Sequence, residues 1–209
     1  MVEWSIAALR AAAGVRSIVV ACPPGHVHEL AGGDLGVVEG GATRARSVAN
    51  ALEAVGTELV AIHDAARPLV TPELVEGVVA TLIADPDADG AIAAAPASDT
   101  LKRAADGARL KPFMTFGSGN PSLAIEETVS REGLWAAQTP QVFRTEALCR
   151  ALAADAGRVE AATDEAMLVE AAGGRVLIHP APAENFKVTE PADLRLAELL
   201  LGSRGAPAG

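Results

Sequence analysis

The stretch Leu59-Val60-Ala61-Ile62-His63-Asp64-Ala65-Ala66-Arg67-Pro68 passes from a short apolar run into a loop that sets a carboxylate and a guanidinium three residues apart. Four successive apolar residues closed by His63 read as a buried strand, and Thr71 followed by Pro72 reads as a helix start running to about Asp85. The same strand, loop and helix rhythm recurs on either side. Upstream, a helix over Glu3 to Ala13 stops at Gly14, Ser17 to Ala21 reads as a buried strand, and Cys22 to Gly25 as a turn. A short helix from His26, a strand over Leu35 to Glu39, Gly40-Gly41 and a helix over Arg44 to Val55 follow. Downstream, Gly90 to Ala94 reads as a strand, Arg144 to Ala154 and Asp164 to Ala172 as helices, Arg175 to His179 as a strand, and Pro191 to Leu201 as the last helix. The tail from Gly202 is expected to be mobile.

This alternation predicts an α/β fold with a mainly parallel, doubly wound sheet, whose ligands bind beyond the C-terminal ends of the strands. The rhythm breaks only at about 97–130, where two extended segments flank a turn-rich tip over Leu110 to Ser122. The expectation is one domain over 1–209 with a projecting β-arm at about 97–130.

Composition narrows the class. Half of the 209 residues are hydrophobic but only 3% are aromatic, so Ala, Val and Leu must fill the core. The formal charge, 17 minus 27, is −10, which disfavours general nucleic-acid binding and requires a local cation cluster for any phosphate ligand. Two isolated cysteines, Cys22 and Cys149, give neither a disulfide framework nor a four-ligand zinc site, and Cys149 falls where a helix would pack it. Neither a secretory signal nor a membrane span is expected, and a cytoplasmic setting fits.

Four loops carry candidate chemistry. Gly40-Gly41-Ala42-Thr43-Arg44 lets backbone amides approach an anion at a helix N-terminus, although an ordinary turn explains it as well. In His63 to Pro68, Arg67 can grip phosphate bidentately, and Asp64 can hold a sugar hydroxyl or lie near Mg²⁺; a salt bridge within the loop is the equal alternative. Thr163 reads as the N-cap of a helix with Asp164 and Glu165 in its first turn. Lys187, one cation in the apolar strand-like run Asn185 to Thr189, stands where a phosphate-neutralising charge belongs. Arg67 and Lys187 are therefore expected to share one crevice. Lys102 and Arg103 read as solvated charges, and His26, His28, His63 and His179 lack zinc spacing, so no protein-built metal site is expected.

Taken together, GGATRARSV, VAIHDAARP, SDTLKR, SREGLWAAQTPQVF, TDEA and ENFKVTEPADL resemble, in order and spacing, the 2-C-methyl-D-erythritol 4-phosphate cytidylyltransferases over nearly all of residues 3–201. The resemblance implies a Rossmann-like homodimer in which a β-arm clasps the second subunit, and a reaction between CTP and 2-C-methyl-D-erythritol 4-phosphate with Mg²⁺ on the triphosphate. It implies that Gly41, Arg44, Ser47 and Ala65 serve the nucleotide, and that Asp64 lines the junction with the second substrate. Arg67, Thr100, Thr163 and Lys187 surround the methylerythritol phosphate in that scheme, with Arg131 and Thr139 supplied by the partner subunit. Lys187, Arg67 and Asp64 are the expected catalytic residues. The family's opening strand and its P-A-A-G-x-G-x-R and P-K-Q phosphate loop do not occur among these residues, so weak turnover is expected of the chain as it stands. An inactive dimerising remnant, or a transferase acting on another sugar or polyol phosphate, is the alternative.

Overall fold

The computed structural model describes residues 1–30, 33–105, 123–154 and 156–204. The expected tip of the arm, 110–122, falls outside them, as does the chain beyond residue 204. In order run α1 (Val2–Ala11), β1 (Ile18–Cys22), α2 (Val27–Leu30), β2 (Leu35–Glu39), α3 (Arg44–Leu52), β3 (Leu59–Ile62), α4 (Pro72–Ile83), β4 (Gly90–Pro96) and β5 (Leu101–Ala104). They are followed by β6 (Ile125–Val129), β7 (Trp135–Arg144), α5 (Thr145–Ala154), α6 (Ala156–Ala161), α7 (Glu165–Ala171), β8 (Val176–Pro180) and α8 (Pro191–Arg204). The chain divides into two compact units, residues 1–95 with 137–209, and residues 96–136.

Local chemistry sets the helix starts of the larger unit. The Thr43 and Thr71 hydroxyls accept from the amides of Arg46 and Leu74, and Pro72 occupies a first-turn position that needs no donor. Strand β4 alternates its side chains between two cores: Ala91 and Ala93 meet Leu74, Val75, Val78 and Leu82, whereas Ile92 meets Val48, Phe143, Leu148 and Val169. Helices therefore cover both faces of the sheet. Gly90 admits the buried Phe143 ring, since a Cβ there would stand 2.4 Å from Cδ1.

The α/β fold has the expected parallel pairs, with an antiparallel strand set among them. β1 and β2 form a parallel pair of their own, and the four-stranded sheet has the order β3-β7-β4-β8. β4 pairs with β8 in parallel, but β7 runs antiparallel to β3, with Ile62 opposite Gln141. That pairing carries the segment before Gln141 back to the loop that follows β3.

The smaller unit spans the expected arm. Its β5 and β6 form an antiparallel ladder with an irregularity between Arg103 and Ala104, where Arg103 pairs with Glu127 at 2.6 Å and Lys102 reaches Thr128 at 2.7 Å. Three local expectations fail. Cys149 is exposed, because the buried stripe of α5 runs through Ala147, Leu148 and Ala151. Gly202 lies inside α8, which continues to Arg204. Residues 185–189 form no strand; they are an irregular connection, tied to the β3 loop by the Val188 amide donating to the Ala66 carbonyl at 2.8 Å.

Candidate active site

Four segments of the larger unit converge on Asp64: the start of α3, the loop after β3, the first half of β7 with the start of α7, and the connection before α8. The Arg67 amide donates to the Asp64 carbonyl at 2.9 Å, closing a tight turn that presents both side chains. Thr139 on β7 donates through its hydroxyl to His63 Nδ1 at 3.0 Å and accepts from the Asp64 amide at 3.0 Å. His63 Nε2 donates in turn to the Arg67 carbonyl at 3.1 Å, which makes the ring the neutral Nε2–H tautomer. Burial is the main reason that the His63 pKa falls from 6.5 to about 4, and so favours that neutral form.

The charged groups form an alternating chain. Lys187 Nζ donates to Asp64 Oδ2 at 2.9 Å, Arg44 Nε donates to Asp64 Oδ1 at 2.9 Å, and Arg44 also pairs with Glu165 Oε2. Burial pushes the Asp64 carboxyl up, but Arg44 and Lys187 outweigh it and hold the group below the ordinary carboxylate range. Glu165 goes the other way, raised by burial despite Arg44. Arg67 donates to the carbonyls of Asn185 at 2.9 Å and Ala137 at 3.4 Å, and its buried Nε has no hydrogen-bond partner in the protein.

Two cavities meet here. One of about 210 Å³ is lined by Arg44, Asp64, Arg67, Thr139, Thr163 and Lys187 among others. The other, about 370 Å³, runs between α1, β1, α3 and β3; Ser47 and Ala65 line it, and Arg44, Asp64 and Lys187 belong to both. The shared wall places Asp64 between two compartments, with cations on either side. Arg67 and Lys187 thus open onto one crevice.

Other expected site residues differ in detail. Thr139 lines the cavity of its own chain rather than a partner's, because the antiparallel pairing of β7 with β3 returns it to Asp64. The N-cap of α7 is Asp164, not Thr163: Asp164 accepts from the Met167 amide, and the Thr163 hydroxyl is left beside the cavity. The Gly41 amide donates to Ser47 Oγ at 3.0 Å, and Ser47 donates to the Thr43 carbonyl at 3.0 Å, so this turn is braced internally. Gly41 is needed for that approach, since a Cβ would stand 2.3 Å from Arg46 Cβ. Thr100 and Arg131 belong to the smaller unit, where Arg131 donates to the Ser98 carbonyl.

The supporting amides escape sequence reading. Gln141 Nε2 donates to Asp164 at 2.9 Å, and Asn185 Nδ2 donates to Gln138 Oε1 at 2.8 Å and to the Thr139 carbonyl at 2.9 Å. All three amide side chains are buried, and they fix the β7 end, the α7 start and the last connection to one another. Among the described residues no group of three His, Cys, Asp or Glu side chains is arranged to hold a metal ion, and no helix is long and apolar enough to cross a membrane.

Comparison with known proteins gives the family. The model of the 2-C-methyl-D-erythritol 4-phosphate cytidylyltransferase family matches residues 1–203. The enzyme of that name from Frankia casuarinae is 42% identical over 207 residues, covering 96% of this chain and 70% of its own length. A bifunctional IspD/IspF enzyme from Anaeromyxobacter dehalogenans is also 42% identical, and the chain spans about half of it, 48%. The crystal structure of the cytidylyltransferase from Thermus thermophilus superposes with a TM-score of 0.74 at 37% identity, over 96% of this chain and 88% of that one.

Proposed function

Because the chain belongs to the 2-C-methyl-D-erythritol 4-phosphate cytidylyltransferase family, and so to the nucleotidyltransferases, we propose that its twin cavities join CTP to 2-C-methyl-D-erythritol 4-phosphate. The observation that carries this reading is the shared wall of Arg44, Asp64 and Lys187 between two compartments, as a reaction between two anionic substrates requires. In this reading the nucleotide lies against Gly41, Arg44, Ser47 and Ala65, and the methylerythritol phosphate is held by Arg67, Thr163, Thr139 and Lys187.

The chemistry is direct displacement. A phosphate oxygen of methylerythritol phosphate bonds to the α-phosphorus of CTP, the α–β bridging bond breaks, and its electron pair leaves with pyrophosphate. No covalent enzyme intermediate is needed, so positioning and charge neutralisation do the work. Lys187 and Arg67 offset the repulsion between attacking phosphate and triphosphate, Lys187 exchanging Asp64 for phosphate as substrate arrives. Asp64, freed on one oxygen, accepts from a substrate hydroxyl.

Mg²⁺ suits such a site when substrate phosphates supply most of its ligands. Asp64 is the carboxylate that would lie nearest it, both oxygens being held by cations in this structure. When bound, the ion neutralises the triphosphate oxygens. A homodimer in the cytoplasm completes the proposal. It is tested by pyrophosphate release from the purified chain with Mg²⁺: release that requires CTP and methylerythritol phosphate together supports it, and release indifferent to the second substrate contradicts it.

A further inference from the structure

Glu165 is fully buried, yet the reaction proposed above gives it nothing to do. It opens α7, where the helix N-terminus favours a negative charge, but it turns inward: Oε2 pairs with Arg44, and Oε1 has no hydrogen-bond partner in the protein. A buried ion pair adds little to stability over well-packed apolar groups of the same volume, so stability alone is a poor reason for this one. Its geometry suggests another. Arg44 has a fork that ordinarily grips a carboxylate with two parallel hydrogen bonds. Here the fork is split, Nε to Asp64 Oδ1 and a terminal nitrogen to Glu165, and Asp64 Oδ2 remains available to Lys187.

We propose that Glu165 is a positioning residue for the transfer: by engaging one arm of Arg44 it limits that guanidinium to a single Asp64 oxygen, and thereby keeps Lys187 on the other. With Glu165 neutral, Arg44 turns both nitrogens to Asp64, Lys187 is displaced from the junction of the cavities, and the cation for the attacking phosphate is misplaced. The charged and titratable groups that face the Arg44–Glu165 pair are His63, Asp64 and Arg67 from the loop after β3, Asp164 from the α7 cap, and Lys187 from the last connection. The inference rests on the proposed function for its effect on turnover, but not for its effect on Asp64.

The test is a ¹³C NMR titration of the Asp64 side-chain carboxyl in the unmodified chain and in E165Q, with steady-state kinetics on both. E165Q preserves volume, removes the charge, and is expected to lower the pH at which Asp64 titrates, while kcat falls roughly 10- to 100-fold and KM changes much less. An Asp64 titration identical in the two chains overturns the proposal, even if E165Q melts at a lower temperature. Should E165Q fail to fold, the unmodified chain decides: the Asp64 signal must show a second inflection as Glu165 titrates, and its lack overturns the proposal. A displaced Asp64 titration with no turnover in either chain upholds the positioning role and refutes the proposed reaction instead.

Discussion

Acid should loosen this fold through His63. The ring is held neutral, donating from Nε2 to the Arg67 carbonyl and accepting at Nδ1 from Thr139, and a proton on Nδ1 would force the Thr139 hydroxyl to turn and accept instead. Its pKa falls from 6.5 to about 4, with burial the main cause. Since the folded value is depressed, the unfolded chain binds the proton first; the contribution is complete above pH 6.5 and is lost as pH falls towards 4. One pH unit corresponds to about 1.4 kcal/mol, so the loss approaches about 2 kcal/mol by pH 5 and has a ceiling of about 3 kcal/mol. Urea unfolding of the unmodified chain and of H63Q, from pH 7.5 to 5, isolates this effect. Asp64 loses its stabilising effect only at lower pH, and the raised Glu165 value acts with opposite sign, stability falling as pH rises above its unfolded value. Both are common to the two chains and cancel in the difference. The unmodified chain should lose about 2 kcal/mol more than H63Q; parallel curves would refute the assignment of the neutral ring.

Other outcomes follow from the same contacts. K187A and R67A should each lower kcat/KM on the order of 100-fold with the fold retained, measured by pyrophosphate release, and R67K should recover little because it lacks the bidentate fork. G90A should destabilise by about 1–3 kcal/mol in urea, because its Cβ meets the Phe143 ring at 2.4 Å and that ring is fully buried. L148A, in a fully buried position, should cost about 2–5 kcal/mol in the same assay. Light scattering at micromolar concentration should give the mass of a dimer, and a monomer would contradict the expected clasp.

What could be read in the sequence was what neighbours along the chain decide. Thr71 caps its helix through an amide three residues away, and the apolar run at 59–62 forms a strand whose next loop carries Asp64 and Arg67. What could not be read depends on partners far along the chain. The antiparallel insertion of β7 beside β3 leaves no mark on strand periodicity, and with it went the correct placement of Thr139. Lys187 was expected in a strand because its neighbours are apolar, but Phe186 and Val188 pack on a small cluster with Leu69, Ala197 and Leu201, which holds them without a ladder. Asp164 and Thr163 compete for the same cap, and Gln141 decides it by anchoring the Asp164 carboxylate. Glu165 looked like a helix-end charge because Arg44, its partner, lies 121 residues earlier.

Whether two substrates meet at Asp64 and Lys187 is decided by ³¹P NMR of the unmodified chain with CTP, 2-C-methyl-D-erythritol 4-phosphate and Mg²⁺. A coupled pair of diphosphate resonances from the cytidine diphosphate product should grow in step with pyrophosphate and be abolished in K187A. Unchanged CTP and phosphomonoester signals from folded protein, or product formation at an equal rate in K187A, would contradict such a meeting.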